Sequence, residues 1–105
     1  MSKKKRPART LSIEVHPLKG KREGALLKEQ TWFEGDTIVA YSLAYINLKV
    51  CHVDHGRVLG FDNSHDYHHR HFMGQVEPVE YTSYDATLAR FISEVHELWR
   101  IEDGN

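Results

Sequence analysis

The stretch that most restricts the fold is "TIVAYSLAYINLKV", residues 37–50. Its side chains alternate with the period of two that belongs to an extended strand. One side carries Ile38, Ala40, Ala44, Ile46, Leu48 and Val50, and the other Val39, Tyr41, Leu43 and Tyr45. Apolar groups on both sides predict a central strand covered on both faces, with a second subunit as one candidate cover and hence a homodimer.

The chain supplies neighbours for such a strand. "TLSIEVHP" (10–17) sets Leu11, Ile13 and Val15 against Ser12, Glu14 and His16, a half-buried strand that Pro17 ends. A glycine-bearing loop leads to a second strand, "ALLKEQTWF" (25–33), and "EGD" (34–36) reads as a tight hairpin connection. After a turn at "DHG" (54–56) comes "RVLGFDN" (57–63), then a histidine-rich loop running to about Gly74. "VEPVEY" (76–81) is a short strand placed at an edge by Pro78.

A helix closes the chain, capped by Thr82 or Ser83, with Asp85 in its first turn. Leu88, Phe91, Ile92, Val95 and Trp99 form a single apolar stripe along it. The expected class is α+β: an antiparallel sheet of four to five strands with one C-terminal amphipathic helix packed across it.

The chain has 105 residues, enough for one domain, over residues 10–105, after a disordered basic arm over residues 1–9. That arm holds five of the fourteen basic groups, leaving nine basic against fifteen acidic side chains and a body of formal charge −6. A polyanion would therefore be met by local basic groups, by charged histidines or by the arm. Cys51 stands alone, so an intramolecular disulfide and a cysteine zinc knuckle are excluded, and a buried structural thiol is expected. No apolar run reaches the ~18 residues of a membrane span and no secretory leader is visible, so a cytoplasmic protein with no membrane partner is expected.

"HDYHHRH" (65–71) concentrates four of the eight histidines. Its spacing matches no strong zinc pattern, and no metal or cofactor is expected. The segment does hold the groups that cleavage of RNA through the 2′-hydroxyl needs: a base, an acid and a cation for the phosphate. His69 and His71 are the candidate proton-transfer groups and Arg70 the candidate cation. In an extended stretch the two histidines project to one side and Arg70 to the other. Asp62, Asn63, His65, Asp66 and His68 are candidate substrate contacts. The same residues also fit a polar connection bonded to backbone and water, and Asp62 and Asn63 fit a strand end.

The run "YSLAYINLK…GRVLGFDNSHDYHHRHFMGQVEPVEYTSYDATLARFISEVHELW" resembles the TumE-like toxin family of bacterial toxin–antitoxin modules. The matching pieces are Tyr41 to Tyr45, Gly56 to Asn63, His69 to His71, Gly74, Glu77–Pro78 and the helix from Leu88 through Val95. The family usually has Asp before its "HRH", where this chain has His68, so Asp66 would have to orient the histidines in its place. The resemblance implies a toxin partnered by a small helix-turn-helix antitoxin encoded nearby. Two functions follow. One is a metal-independent endoribonuclease working through His69, Arg70 and His71, with RNA as substrate. The other is a non-enzymatic protein that binds a helix-turn-helix partner or nucleic acid through the sheet's second apolar face, with Val39, Tyr41 and Tyr45 as contacts.

Overall fold

The computed structural model describes residues 8–104. Of the basic arm expected over residues 1–9, residues 1–7 lie outside the described residues, and Arg9 opens the first strand. Six antiparallel strands follow one another as a meander: β1 (Arg9–Pro17), β2 (Leu26–Glu34), β3 (Thr37–Ile46), β4 (Arg57–Asp62), β5 (His69–Phe72) and β6 (Gln75–Pro78). One helix, α1 (Tyr84–Glu102), crosses β3 and β4 on one face. The α+β class and the C-terminal helix are as expected.

The strand count is higher than the four to five expected, because "HRHF" forms β5 inside the histidine segment. Its partner β6 is reached through Met73 and Gly74, both at positive φ (48° and 88°), the backbone of the two-residue hairpin turn that suits a right-twisted ladder. β3 is shorter than expected and stops at Ile46. There the Asn47 carbonyl accepts from the Val50 and Cys51 amides and its side chain accepts from the Lys49 amide, which turns the chain out of the sheet.

The two faces of the sheet differ. Tyr41, Leu43 and Tyr45 of β3 and Leu59 and Phe61 of β4 bury themselves against Phe91 and Val95 of α1. Phe61 meets Phe91 edge to face at 6.3 Å, and Tyr45 meets Trp99 the same way at 6.0 Å. Tyr41 and Tyr45 are therefore core residues, not contacts for a partner on a second face, and Val39 is the extra residue of a bulge opposite Trp32 and Phe33.

The open face is lined by small and polar groups, among them Ser42, Ala44, Gly60 and Asp62. In β1 the register places Leu11, Ile13 and Val15 beside Trp32, Gln30 and Lys28 on the face away from the helix, so they stay 45%, 50% and 46% exposed, not half-buried as their alternation predicts.

α1 forms where expected. Ser83 caps it, its hydroxyl accepting from the Ala86 amide at 3.0 Å. Thr87, Phe91 and Val95 face inward, while Ile92 is 44% exposed at the edge of the stripe. Cys51 is buried, its thiol donating to the carbonyls of Val53 and Arg57. Phe91→Ala should lower the unfolding free energy by about 3–5 kcal/mol in urea titrations. Ile92→Ala should cost about 0.5 kcal/mol, the scale of a surface change.

Candidate functional site

The site grows from the pairing of β4 with β5. Asp62 lies opposite His69 and Gly60 opposite His71, so all three side chains share the face away from the helix. The Asp62 carboxylate bridges the two rings: Oδ1 is 2.8 Å from His69 Nε2, and Oδ2 is 2.9 Å from His71 Nε2. His69 is 3% exposed and His71 9%. Ser64 completes the shell, donating its amide (3.1 Å) and hydroxyl (2.8 Å) to Oδ1.

A fourth group arrives by way of a bulge. Tyr45 pairs with Leu59 but Ile46 pairs with Arg57, so Val58 is the extra residue and Arg57 turns onto the open face. Its Nη2 lies 3.0 Å from His71 Nδ1, its Nη1 3.7 Å from Asp62, and its Nε donates to Asp54 at 2.7 Å. Gly60 gives it passage, since a Cβ there would meet Arg57 Cδ at 2.7 Å and the Leu43 carbonyl at 3.0 Å.

The partners assign the protons. A guanidinium only donates, so His71 Nδ1 accepts from Arg57 and Nε2 holds the proton it gives to Asp62. Burial and the Arg57 charge hold His71 below the ordinary histidine value, against the pull of Asp62. His69 faces acceptors on both sides, the Tyr67 carbonyl at 3.0 Å from Nδ1 and Asp62 from Nε2. Burial pushes Asp62 up, but the Ser64 hydroxyl and amide and the two histidines overcome it and leave the carboxyl below its ordinary value.

The other candidate residues fall into three settings. Arg70 points to the helix face, where its Nε and Nη2 donate to Glu94 at 2.9 and 2.6 Å and its Nη1 to Glu77 at 3.2 Å. Asn63 is a strand clamp, accepting from the Tyr41 amide at 3.0 Å and donating to the Val39 carbonyl at 3.1 Å. His65 and Asp66 make an exposed turn, both at positive φ (60° and 65°), and Asp66 does not orient the histidines; Asp62 does.

His68 stacks on Tyr81 at 3.8 Å, and its Nδ1 lies 2.8 Å from the Tyr41 hydroxyl. Burial and the Tyr81 and Asp62 charges push Tyr41 up to about 12, so it stays a donor to His68. Burial and neighbouring His69 hold His68 below its ordinary value.

A cleft of about 670 Å³ opens on the same face beside Asp62, between Trp32 and the turn at residues 64–68. Arg57 and Ser64 were not singled out by the sequence reading as parts of the site. The one signal for Arg57 was Gly60 inside an otherwise regular strand.

Asp62, His69 and His71 hold ligand atoms within 4.8 Å of one another and could seat a divalent cation. Arg57 already stands as a fixed cation beside two of them, which opposes a second positive charge there.

The family model described as "Toxin TumE" matches residues 5–99, almost the whole chain. The chain belongs to the TumE toxin family. No curated protein and no solved structure matches it. TumE membership makes it a toxin of a toxin–antitoxin system and implies an antitoxin partner. Among the described residues no helix is long and apolar enough to cross a membrane.

The lowered histidines of this TumE chain give a signed pH dependence. The folded values of His68 and His71 lie below those of the unfolded chain, so on acidification the unfolded state takes up protons first. Their contribution is complete above the ordinary value of about 6.5 and is lost as the pH falls toward the lowered folded values. Asp62, also lowered, adds a further loss below about pH 4. Urea midpoints should therefore be lower at about pH 5 than at about pH 7.5, and His71→Gln should shrink the difference.

Proposed function

We propose that this toxin is a metal-independent endoribonuclease whose chemistry runs through His69, His71 and Arg57. The observation that carries the reading is the Asp62 carboxylate bridging two histidines, 4.7 Å apart between ring centres, beside a guanidinium. His71, with its lone pair at Nδ1, is the base that takes the 2′-hydroxyl proton. His69 is the acid that protonates the departing 5′-oxygen. The 2′-oxygen forms its bond to phosphorus as the 5′-oxygen leaves, giving a 2′,3′-cyclic phosphate and a 5′-hydroxyl.

Arg57 takes the phosphate role first assigned to Arg70, because it lies on the histidines' face while Arg70 is held on the other by Glu94. In the free protein Arg57 also covers the His71 lone pair. A phosphate that draws the guanidinium to its own oxygens uncovers the base. The cytoplasm, where RNA and antitoxin are both met, is the compartment this reading requires.

The partner is a helix-turn-helix antitoxin, and the surface that supports this is β1. Among the described residues its outer edge has no sheet neighbour, and its Leu11, Ile13 and Val15 form an exposed apolar stripe. A homodimer through the same strand is the competing occupant. Light scattering should give a monomer for the toxin alone. Ile13→Glu should weaken the antitoxin complex by about tenfold or more without changing toxin activity.

Colony survival after induction, at matched soluble protein, tests the chemistry. His71→Ala, His69→Ala and Arg57→Ala should each abolish killing, and Gly60→Ala should impair it by displacing Arg57. Arg70→Ala should keep killing and lower stability by about 1–2 kcal/mol. RNA cutting by the purified protein should survive chelation by EDTA and leave cyclic phosphate ends. Killing by Arg57→Ala and His71→Ala at the wild-type level would sink the proposal. Loss of killing in those variants, with no RNA cut by the wild type, would favour the binding protein.

A further inference from the structure

The cleft beside Asp62 is not used by the proton-transfer cluster, and its shape and chemistry are specific. Its floor is the open face of three strands, where Gln30, Ser42 and Asp62 lie side by side in register and the small side chain of Ala40 sits next to Trp32. Trp32 and Tyr67 both line it, and Tyr67 stacks on His69 at 4.4 Å. Aromatic side chains beside small residues give a flat ring a surface to stack on. Among the described residues, the Gln30 amide, the Ser42 hydroxyl and the Trp32 indole N–H have no hydrogen-bond partner in the protein. They offer donors and acceptors to a ring that carries polar groups on its edge.

We propose that this slot binds an unpaired nucleobase, stacked against Trp32 and read at its edge by Gln30 and Ser42. The proposal rests on the ribonuclease reading for its meaning, and it names the substrate as single-stranded RNA.

Charge favours the base over the phosphate as occupant. Arg9 at the rim is paired with Glu34 at 3.1 Å, and Asp62 is matched by His69 and Arg57. Asp66 and the two histidines His65 and His68 line the opposite rim. Among the described residues that line the cleft, no excess of positive charge is left for a phosphate to be drawn inside. A neutral ring, by contrast, gains a stacking partner and edge contacts without desolvating a charge. The volume of about 670 Å³ suits one nucleotide. Asp62 lines the slot and also bridges His69 and His71, so a base held there lies next to the acid–base cluster.

The test uses the purified full-length chain. The indole N–H resonances of Trp32 and Trp99 are separated in an NMR spectrum by comparison with Trp32→Phe. The probes are the four nucleoside 3′-monophosphates, ribose 5-phosphate, a single-stranded tetraribonucleotide and an RNA duplex. The nucleotides should shift Trp32 and leave Trp99 in place, and ribose 5-phosphate should shift neither. The tetranucleotide should bind more tightly than a mononucleotide, and the duplex should not compete. Ala40→Leu, which fills the floor, should weaken binding by about tenfold or more. Gln30→Leu, which keeps bulk and removes the amide, should weaken it by about fivefold.

A Trp32 resonance unmoved by any nucleotide, or moved equally by ribose 5-phosphate, overturns the base slot. So does a slot that answers to the antitoxin alone, with Ala40→Leu breaking that complex. RNA cutting is followed on the same samples, which keeps the two proposals apart. Bases bound without RNA cut would leave the slot standing and remove the ribonuclease. RNA cut without a response at Trp32 would do the reverse.

Discussion

Everything on the open face depends on one buried carboxylate. Asp62 sits among groups that could not stay as they are without it: two imidazoles lie against it, a serine donates to it twice, and a guanidinium lies nearby. Taking a carboxylate out of water is costly, and these partners offset the cost only while all are in place. The pairing of β4 with β5, the turn at Ser64 and the bulge that delivers Arg57 are thereby tied to one balance of charge. Removing any single partner leaves the others with an unmatched charge or an unused donor. Stability and chemistry at this cluster are therefore entangled, and conservative replacements separate them better than alanine does.

The single strand β5 links this cluster to the opposite face. His69 and His71 turn to Asp62, while Arg70 between them turns to Glu94 on α1 and packs over Phe72 at 5.2 Å. The three residues thus do different work because a strand sends neighbours to opposite sides. Arg70 ties β5 to the helix through Glu94. A segment that reads as one unit in the sequence is, in space, a site on one side and a tether on the other.

Much of the fold was legible because its periods are strong. The alternation in β3 and the stripe of α1 both gave elements of the right kind in the right place. β5 was hidden because "HRHF" has no apolar alternation, although the alternation of His with Arg was visible and told which way each would face. The exposure of Leu11, Ile13 and Val15 could not be read locally: a period of two marks a face but not whether a helix reaches it. Arg57 was hidden for a geometric reason, since in a regular strand it would share the face of Leu59 and Phe61, and only the bulge at Val58 reverses it. Asp62 was singled out as a substrate contact; that it also bridges the two histidines follows from the pairing of β4 with β5, which the sequence did not display.

The meander has a consequence for how the molecule is made. Every strand pairs with the strand before it in the chain, so each ladder can close as soon as its second strand leaves the ribosome. The one large apolar face cannot be covered in that way. Tyr41, Leu43, Tyr45, Leu59 and Phe61 wait for Phe91 and Val95, which are synthesised only after all six strands. A nascent chain is thus a sheet with an uncovered core until its last helix emerges, and a messenger cut short before that helix would yield no finished toxin.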